Sequence, residues 1–134
     1  MKKILNQIII ICITVLAFYS CSDKEGEWDD VIILSEKNIE FGSEADSAII
    51  TTQGDWWWIT GITVNNKTYR NSYYEDPELY NYCIEYNCVV VEKRDKHTLF
   101  IKVEDNMLAV NRYITIELEA GDYFDRISIT QKGS

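Results

Sequence analysis

The chain is short of the residues that break structure and of those that do chemistry. One proline and six glycines in 134 residues argue against disorder over most of the length. There is a single histidine, His97, in the polar stretch 94–97 beside Arg94 and Lys96. No spacing pairs it with a serine or cysteine nucleophile, so it reads as an exposed turn residue. No glycine-rich phosphate loop and no zinc-type Cys/His spacing occurs. Basic residues are also scarce, 13 against 22 acids for a net charge of −9. That field repels nucleic acid and anionic surfaces, which excludes a nucleic-acid partner. The acids fall in solvated pairs such as Asp29-Asp30 and Glu75-Asp76 rather than as a pair set for glycoside hydrolysis. These absences predict a non-catalytic protein without metal or cofactor.

Long apolar runs are confined to the N-terminus. Met1-Lys2-Lys3 is followed by an apolar stretch over 4–18 that ends at Ala17-Phe18-Tyr19-Ser20-Cys21. A basic start, a short apolar core and a small residue before the cut define a secretory signal peptide over 1–20. A small residue directly before Cys21 resembles the lipobox of bacterial lipoproteins, with Phe18 where such signals carry an aliphatic residue. The resemblance implies that Cys21 is acylated with palmitate-type chains and becomes the first mature residue. It further implies a lipoprotein held in the outer membrane and exposed on the cell surface. Two or three chains, at about 0.8 kcal/mol per buried methylene, make a lasting anchor. Cleavage would remove Lys2 and Lys3 and no acid, taking the net charge from −9 to −11. Residues 21–30 are acidic and unpatterned, a flexible tether. They also resemble the acidic export signal of surface lipoproteins in the Bacteroidetes.

From residue 31 onward the pattern is strand after strand. Expected strands cover 31–34, 38–41, 47–52, 56–64, 67–70, 88–93, 98–104, 112–120 and 125–131. Leu99, Ile101 and Val103 share one face, as do Ile114, Ile116 and Leu118, and Ile127 and Ile129. Period-2 alternation with one wet face predicts antiparallel sheets, and eight or nine short strands predict a β-sandwich over 31–134. Asn65-Asn66 and Gly121-Asp122 are the expected two-residue hairpin turns. The segment 71–87 holds the only proline, Pro77, and is expected to be irregular.

The densest feature is Gly54-Asp55-Trp56-Trp57-Trp58-Ile59, with three of the four tryptophans in a row. Successive strand side chains point to opposite faces. Ile59 shares a face with Trp57, which puts Trp57 in the core and Trp56 and Trp58 outward. A bulge at Gly61 would then restore the phase for Ile62 and Val64. The outward rings either pack under loops or form a ligand platform with Tyr73, Tyr74 and Tyr80.

Gly54-Asp55-Trp56 with Trp57 and Ile59, then Asn106 and Arg112, Ile114-Thr115-Ile116 and Ile127-Ser128-Ile129-Thr130-Gln131 together resemble a BACON domain, a Bacteroidetes module often joined to carbohydrate-active proteins. The similarity spans roughly residues 31–133. It implies an immunoglobulin-like β-sandwich and carbohydrate-binding, with a glycan, mucin or glycoprotein ligand. Independently of it, the aromatic rings of Trp56, Trp58, Tyr73, Tyr74 and Tyr80 are the candidate surface for such a ligand. A structural spacer or protein-interaction subunit of an outer-membrane complex is the other reading, since Trp and Tyr also dominate protein interfaces. Asn106, Arg112 and Gln131 are expected to be structural. Cys83 and Cys88 are candidates for a disulfide in an exported protein, or else free thiols. Asp46-Ser47-Ala48 resembles the short O-glycosylation motif of Bacteroidetes exported proteins, with Ser47 as acceptor.

Overall fold

The computed structural model describes residues 30–72 and 76–134. The expected signal peptide and tether, with Cys21, lie outside the described residues, as do Tyr73 and Tyr74. The described chain is all-β: β1 (Asn38–Phe41), β2 (Asp46–Thr51), β3 (Trp58–Val64), β4 (Lys67–Arg70), β5 (Tyr82–Tyr86), β6 (Val89–Lys93), β7 (Thr98–Val103), β8 (Arg112–Ala120) and β9 (Tyr123–Gln131). They form two sheets, of order β1-β9-β8-β3-β4 and β2-β7-β6-β5. The inward alternate residues of both merge in one core, with Ile59, Ile62, Leu99, Ile101, Ile116, Leu118 and Ile127 fully buried. This is a β-sandwich, as the alternation predicts.

The expected hairpins form at the expected places. Asn65 and Asn66 have φ of 44° and 68° and join Val64 to Lys67. Asparagine accepts positive φ because its short polar side chain bonds locally. Gly121, at φ 62°, joins Ala120 to Tyr123 across a two-residue turn. The β3–β8 register shifts between Ile59 and Gly61. Thr60 is the extra residue, and the bulge keeps Ile59, Ile62 and Val64 all inward.

Four expectations need correction. Residues 31–34 are not a strand. Leu34 makes one isolated bridge to Thr52. The Asp30 carboxylate accepts from the Ile32 and Ile33 amides and turns Ile33 to φ 51°, which breaks any ladder. Ile32 nevertheless plugs the core. Secondly, 82–86 is a regular strand, β5, formed because Tyr82 and Ile84 point inward against β6. Thirdly, the sheets are not wholly antiparallel, since β1 runs parallel to β9 from Asn38↔Ser128 to Phe41↔Gln131. Finally, Cys83 and Cys88 are free thiols. Cys83 lies inside β5 opposite Glu92, whereas Cys88 occupies the turn that links Tyr86 to Val89. Three residues of extended strand, roughly 10 Å, lie between Cys83 and that turn, and the two side chains lie on different sides, one exposed and one buried. Burial and the Glu85 and Glu92 carboxylates push the Cys83 thiol up. Burial likewise raises Cys88.

Asn106, Arg112 and Gln131 lock the end of the sandwich where β8 begins and β9 ends. The Asn106 amide donates to the carbonyls of Val110 and Lys132, at 2.8 and 3.0 Å. Arg112 donates to Gln131 Oε1 at 2.8 Å and to the Glu104 carbonyl at 2.9 Å. The Gln131 amide donates in turn to the carbonyls of Glu44 and Glu104. The structural roles expected for these three residues are thus the ones they have. The loop they hold presents Met107, Leu108 and Val110, all more than half exposed.

Candidate functional site

The tryptophan run is set by the close approach of two backbones. The Gly54 amide donates to the Ile32 carbonyl, as does that of Gln53. A Cβ on Gly54 would lie 2.1 Å from the Val31 carbonyl oxygen, so only glycine fits here. Chain direction into β3 is thereby fixed, and the three rings part company. Trp57 is fully buried, and its indole N–H donates to the Lys96 carbonyl at 2.9 Å and to Thr52 Oγ1 at 3.1 Å.

Trp56 is outward and 51% exposed. Its ring covers the Gly121 turn, where an added Cβ would meet it at 3.3 Å. Trp58 is outward by register but only 9% exposed, so of the two outward rings it is the one that packs and Trp56 the one that opens. It lies outside the core cluster and is covered by Trp56, which meets it edge-on with ring centroids 5.6 Å apart and planes at 89°. The outward face of the five-stranded sheet continues from this pair. Trp58 stands opposite Glu119 on β8, and Glu119 opposite Phe124 on β9, whose ring is 67% exposed. Beside this row runs an open groove of about 550 Å³ lined by Thr60, Arg70, Glu117, Glu119, Phe124 and Arg126, among others. Arg70 forms an ion pair with Glu117. An exposed aromatic wall beside paired carboxylates and guanidinium groups can stack on an apolar ring face and hydrogen-bond hydroxyl groups.

The hairpin end of this face is braced from beneath. Lys37 bridges Asp30 at 2.9 Å and Asp125 at 2.7 Å. Those hydrogen bonds to Asp125 and Asp30 raise the Lys37 ammonium well above the ordinary lysine range. Burial and the Asp30 carboxylate push Tyr123 up to about 12.

Tyr80 does not join the tryptophan face. It sits at the end of the sandwich, half-buried, with the Lys93 ammonium 5.7 Å and that of Lys96 5.9 Å from its ring centre. Lys93 is fully buried on β6. Its ammonium donates to the carbonyls of Trp57 at 2.6 Å and Pro77 at 2.9 Å and lies 4.6 Å from the Trp57 ring centre. Desolvation lowers it to about 8, against the attraction of Asp76 and Glu78. Ser47 is exposed on β2. His97 is exposed in the β6–β7 turn, where its amide donates to Asp95. No group of three or more His, Cys, Asp or Glu side chains able to hold a metal ion occurs among the described residues.

The structure therefore brings Trp56 and Trp58 together, separates Tyr80 from them, and adds residues the sequence reading did not single out. Phe124, Glu117 and Glu119 were legible in principle. A two-residue turn at 121–122 puts Glu119 opposite Phe124, on the outward face. Arg70 and Arg126 join them only through strand pairings that no local pattern reveals.

The fold and the site define a two-sheet β-sandwich with an aromatic groove on one outer face. No family model matches the chain, and no curated protein matches it. A protein from Bacteroides thetaiotaomicron solved by NMR is similar in structure, with a TM-score of 0.65 over 86% of this chain and 97% of that one, at 20% identity. At that identity the likeness concerns the fold alone.

Proposed function

We propose that this chain is a non-catalytic, BACON-like immunoglobulin-type module of an outer-membrane surface lipoprotein, anchored through Cys21, and that it binds glycan or glycoprotein on the outer face of its five-stranded sheet. The observation that carries the reading is Trp56, a large ring left half exposed over Trp58 at the head of a row that ends in the exposed ring of Phe124. Exposing such rings costs apolar burial, and contiguous exposed apolar surface marks binding sites. The resemblance of the motifs to carbohydrate-associated modules supports the ligand class. Aromatic rings stack on sugar faces while Glu119 and Arg126 reach hydroxyl groups.

The test is binding of the purified full chain, in mild detergent, to a glycan and mucin panel, beside Trp56→Ala. A single substitution is the sharper choice, because Trp58 is covered and its loss would disturb packing. Trp56→Ala is expected to weaken binding at least roughly tenfold, as interface anchors do, with an unchanged far-UV spectrum. Equal binding by the variant would refute the placement of the site.

A protein-interaction role is the second reading, and the loop at 107–110 favours it. Met107, Leu108 and Val110 are exposed on a loop held by Asn106 and, beneath it, by Arg112 and Gln131. This loop is at the far end of β8 from the Gly121 turn. The Lys37 bridge ties Asp30 to Asp125 near that turn, so the chain enters the domain at the opposite end from the loop. A membrane-tethered module would hold the apolar loop outward. The readings separate on which substitution, Trp56→Ala or Leu108→Asp, abolishes association.

A further inference from the structure

The charges in the groove are unequally engaged. Across the outward face, Arg70, Gly61, Glu117 and Arg126 form one row in register from β4 to β9. Gly61 has no side chain, and the Arg70 guanidinium crosses over it to reach Glu117. A Cβ there would lie 3.1 Å from Glu117 Oε2 and 3.4 Å from Arg70 Nη1. The Glu117 charge is therefore taken from the β4 side. Asp125, next in sequence to Arg126, is occupied by Lys37 at 2.7 Å. Arg126 is exposed and makes no ion pair with any described residue. Two residues before it on the same face stands the exposed ring of Phe124.

An unengaged guanidinium beside an aromatic ring is a chemically specific pair. The planar fork of donors matches a carboxylate or a sulfate ester bidentately, and the ring supplies a face for the sugar that carries it. Resting on the glycan-binding reading above, we propose that the groove selects an anionic sugar, its carboxylate or sulfate held by Arg126 and its ring against Phe124. The overall negative charge of the chain opposes such a ligand only at long range. At physiological ionic strength that field is screened beyond about 8 Å, whereas the ion pair forms at contact.

The experiment measures binding of the full chain in detergent to lactose, 3′-sialyllactose and 6-sulfated lactose by calorimetry, at low and high salt. The expected result is tighter binding of at least one acidic sugar than of lactose, by roughly tenfold, with the advantage shrinking in salt. The carboxylate and sulfate arms identify which anion is preferred. Arg126→Ala should abolish the preference, weakening the acidic sugar far more than lactose, and Arg126→Lys should restore part of it. Equal binding of neutral and acidic sugars, or an Arg126→Ala effect common to all three, overturns the anion proposal and leaves the glycan reading standing. Absence of binding to every sugar overturns both.

Discussion

Gly54→Ala should unfold most of what the tryptophan run organises, at a cost of about 3 kcal/mol or more. The added methyl would lie 2.1 Å from the Val31 carbonyl oxygen, a backbone atom that no rotamer change can move aside. Relief requires 31–33 to retreat, which breaks the hydrogen bonds from Gln53 and Gly54 to the Ile32 carbonyl and draws the fully buried Ile32 side chain from the core. A buried apolar side chain and its backbone bonds together fall in the range of the large mutational effects. Gly42→Ala is the matched control. Its Cβ would meet nothing within 4 Å, and its φ is not in the left-handed region, so the change should be neutral or stabilising by up to about 1 kcal/mol. Urea titration of both variants, followed by far-UV dichroism, checks the pair. Equal midpoints would refute the account of why glycine precedes the tryptophans.

Lys93 should make the protein more stable as pH rises from about 8 to 10.5, by on the order of 3 kcal/mol, relative to a Lys93→Met variant. The ammonium is fully buried and held by two carbonyls, with no carboxylate in contact with it among the described residues. Desolvation lowers its folded pKa from 10.5 to about 8. Below pH 8 the lysine is protonated folded and unfolded alike, and the folded state bears the full cost of burying the charge. Between 8 and 10.5 the unfolded chain binds more protons than the folded one, so stability increases with pH. A shift of that size corresponds to about 3 kcal/mol. Tyr123, raised to about 12, and the raised thiols of Cys83 and Cys88 act the other way, favouring the folded state less as pH climbs. The difference between wild type and Lys93→Met removes these common contributions. Chemical denaturation at pH 7, 8, 9 and 10 measures it. Parallel pH profiles for the two proteins would contradict the placement of a desolvated charge at this position.

What was legible in the sequence was whatever depended on a strand and its own alternation. Trp57 inward beside Ile59, the bulge at Gly61, the asparagine turn at 65–66 and the inward isoleucines of β8 and β9 all follow from period 2 and turn chemistry. The failures have a common physical form, in that a distant element decides the outcome. Trp58 is outward yet covered, because Trp56 folds over it beside the Gly121 turn. Residues 31–34 have strand composition, but the Asp30 carboxylate and the approach of Gly54 bend them. The strand β5 hides in a tyrosine-rich segment until β6 supplies its partner. The parallel pairing of β1 with β9 joins opposite ends of the domain. Arg70 and Arg126 come into one row with Glu117 only after four strands have assembled. Lys93, at the end of a strand and charged, carries no mark of burial until Trp57, Pro77 and Tyr80 close around it.

The outward aromatic face is the centre of the functional account, and Trp56 is its most accessible reporter. The most direct measurement is a titration of the full chain with mucin-type oligosaccharides, following tryptophan emission and acrylamide quenching. Trp57 and Trp58 are buried and should respond little. A saturable blue shift and loss of quenching are expected for wild type, and neither for Trp56→Phe, whose ring still stacks but no longer emits as tryptophan, although calorimetry still detects its binding. Saturable binding by calorimetry with unchanged emission and quenching in the wild type would place the ligand away from this face and contradict the account.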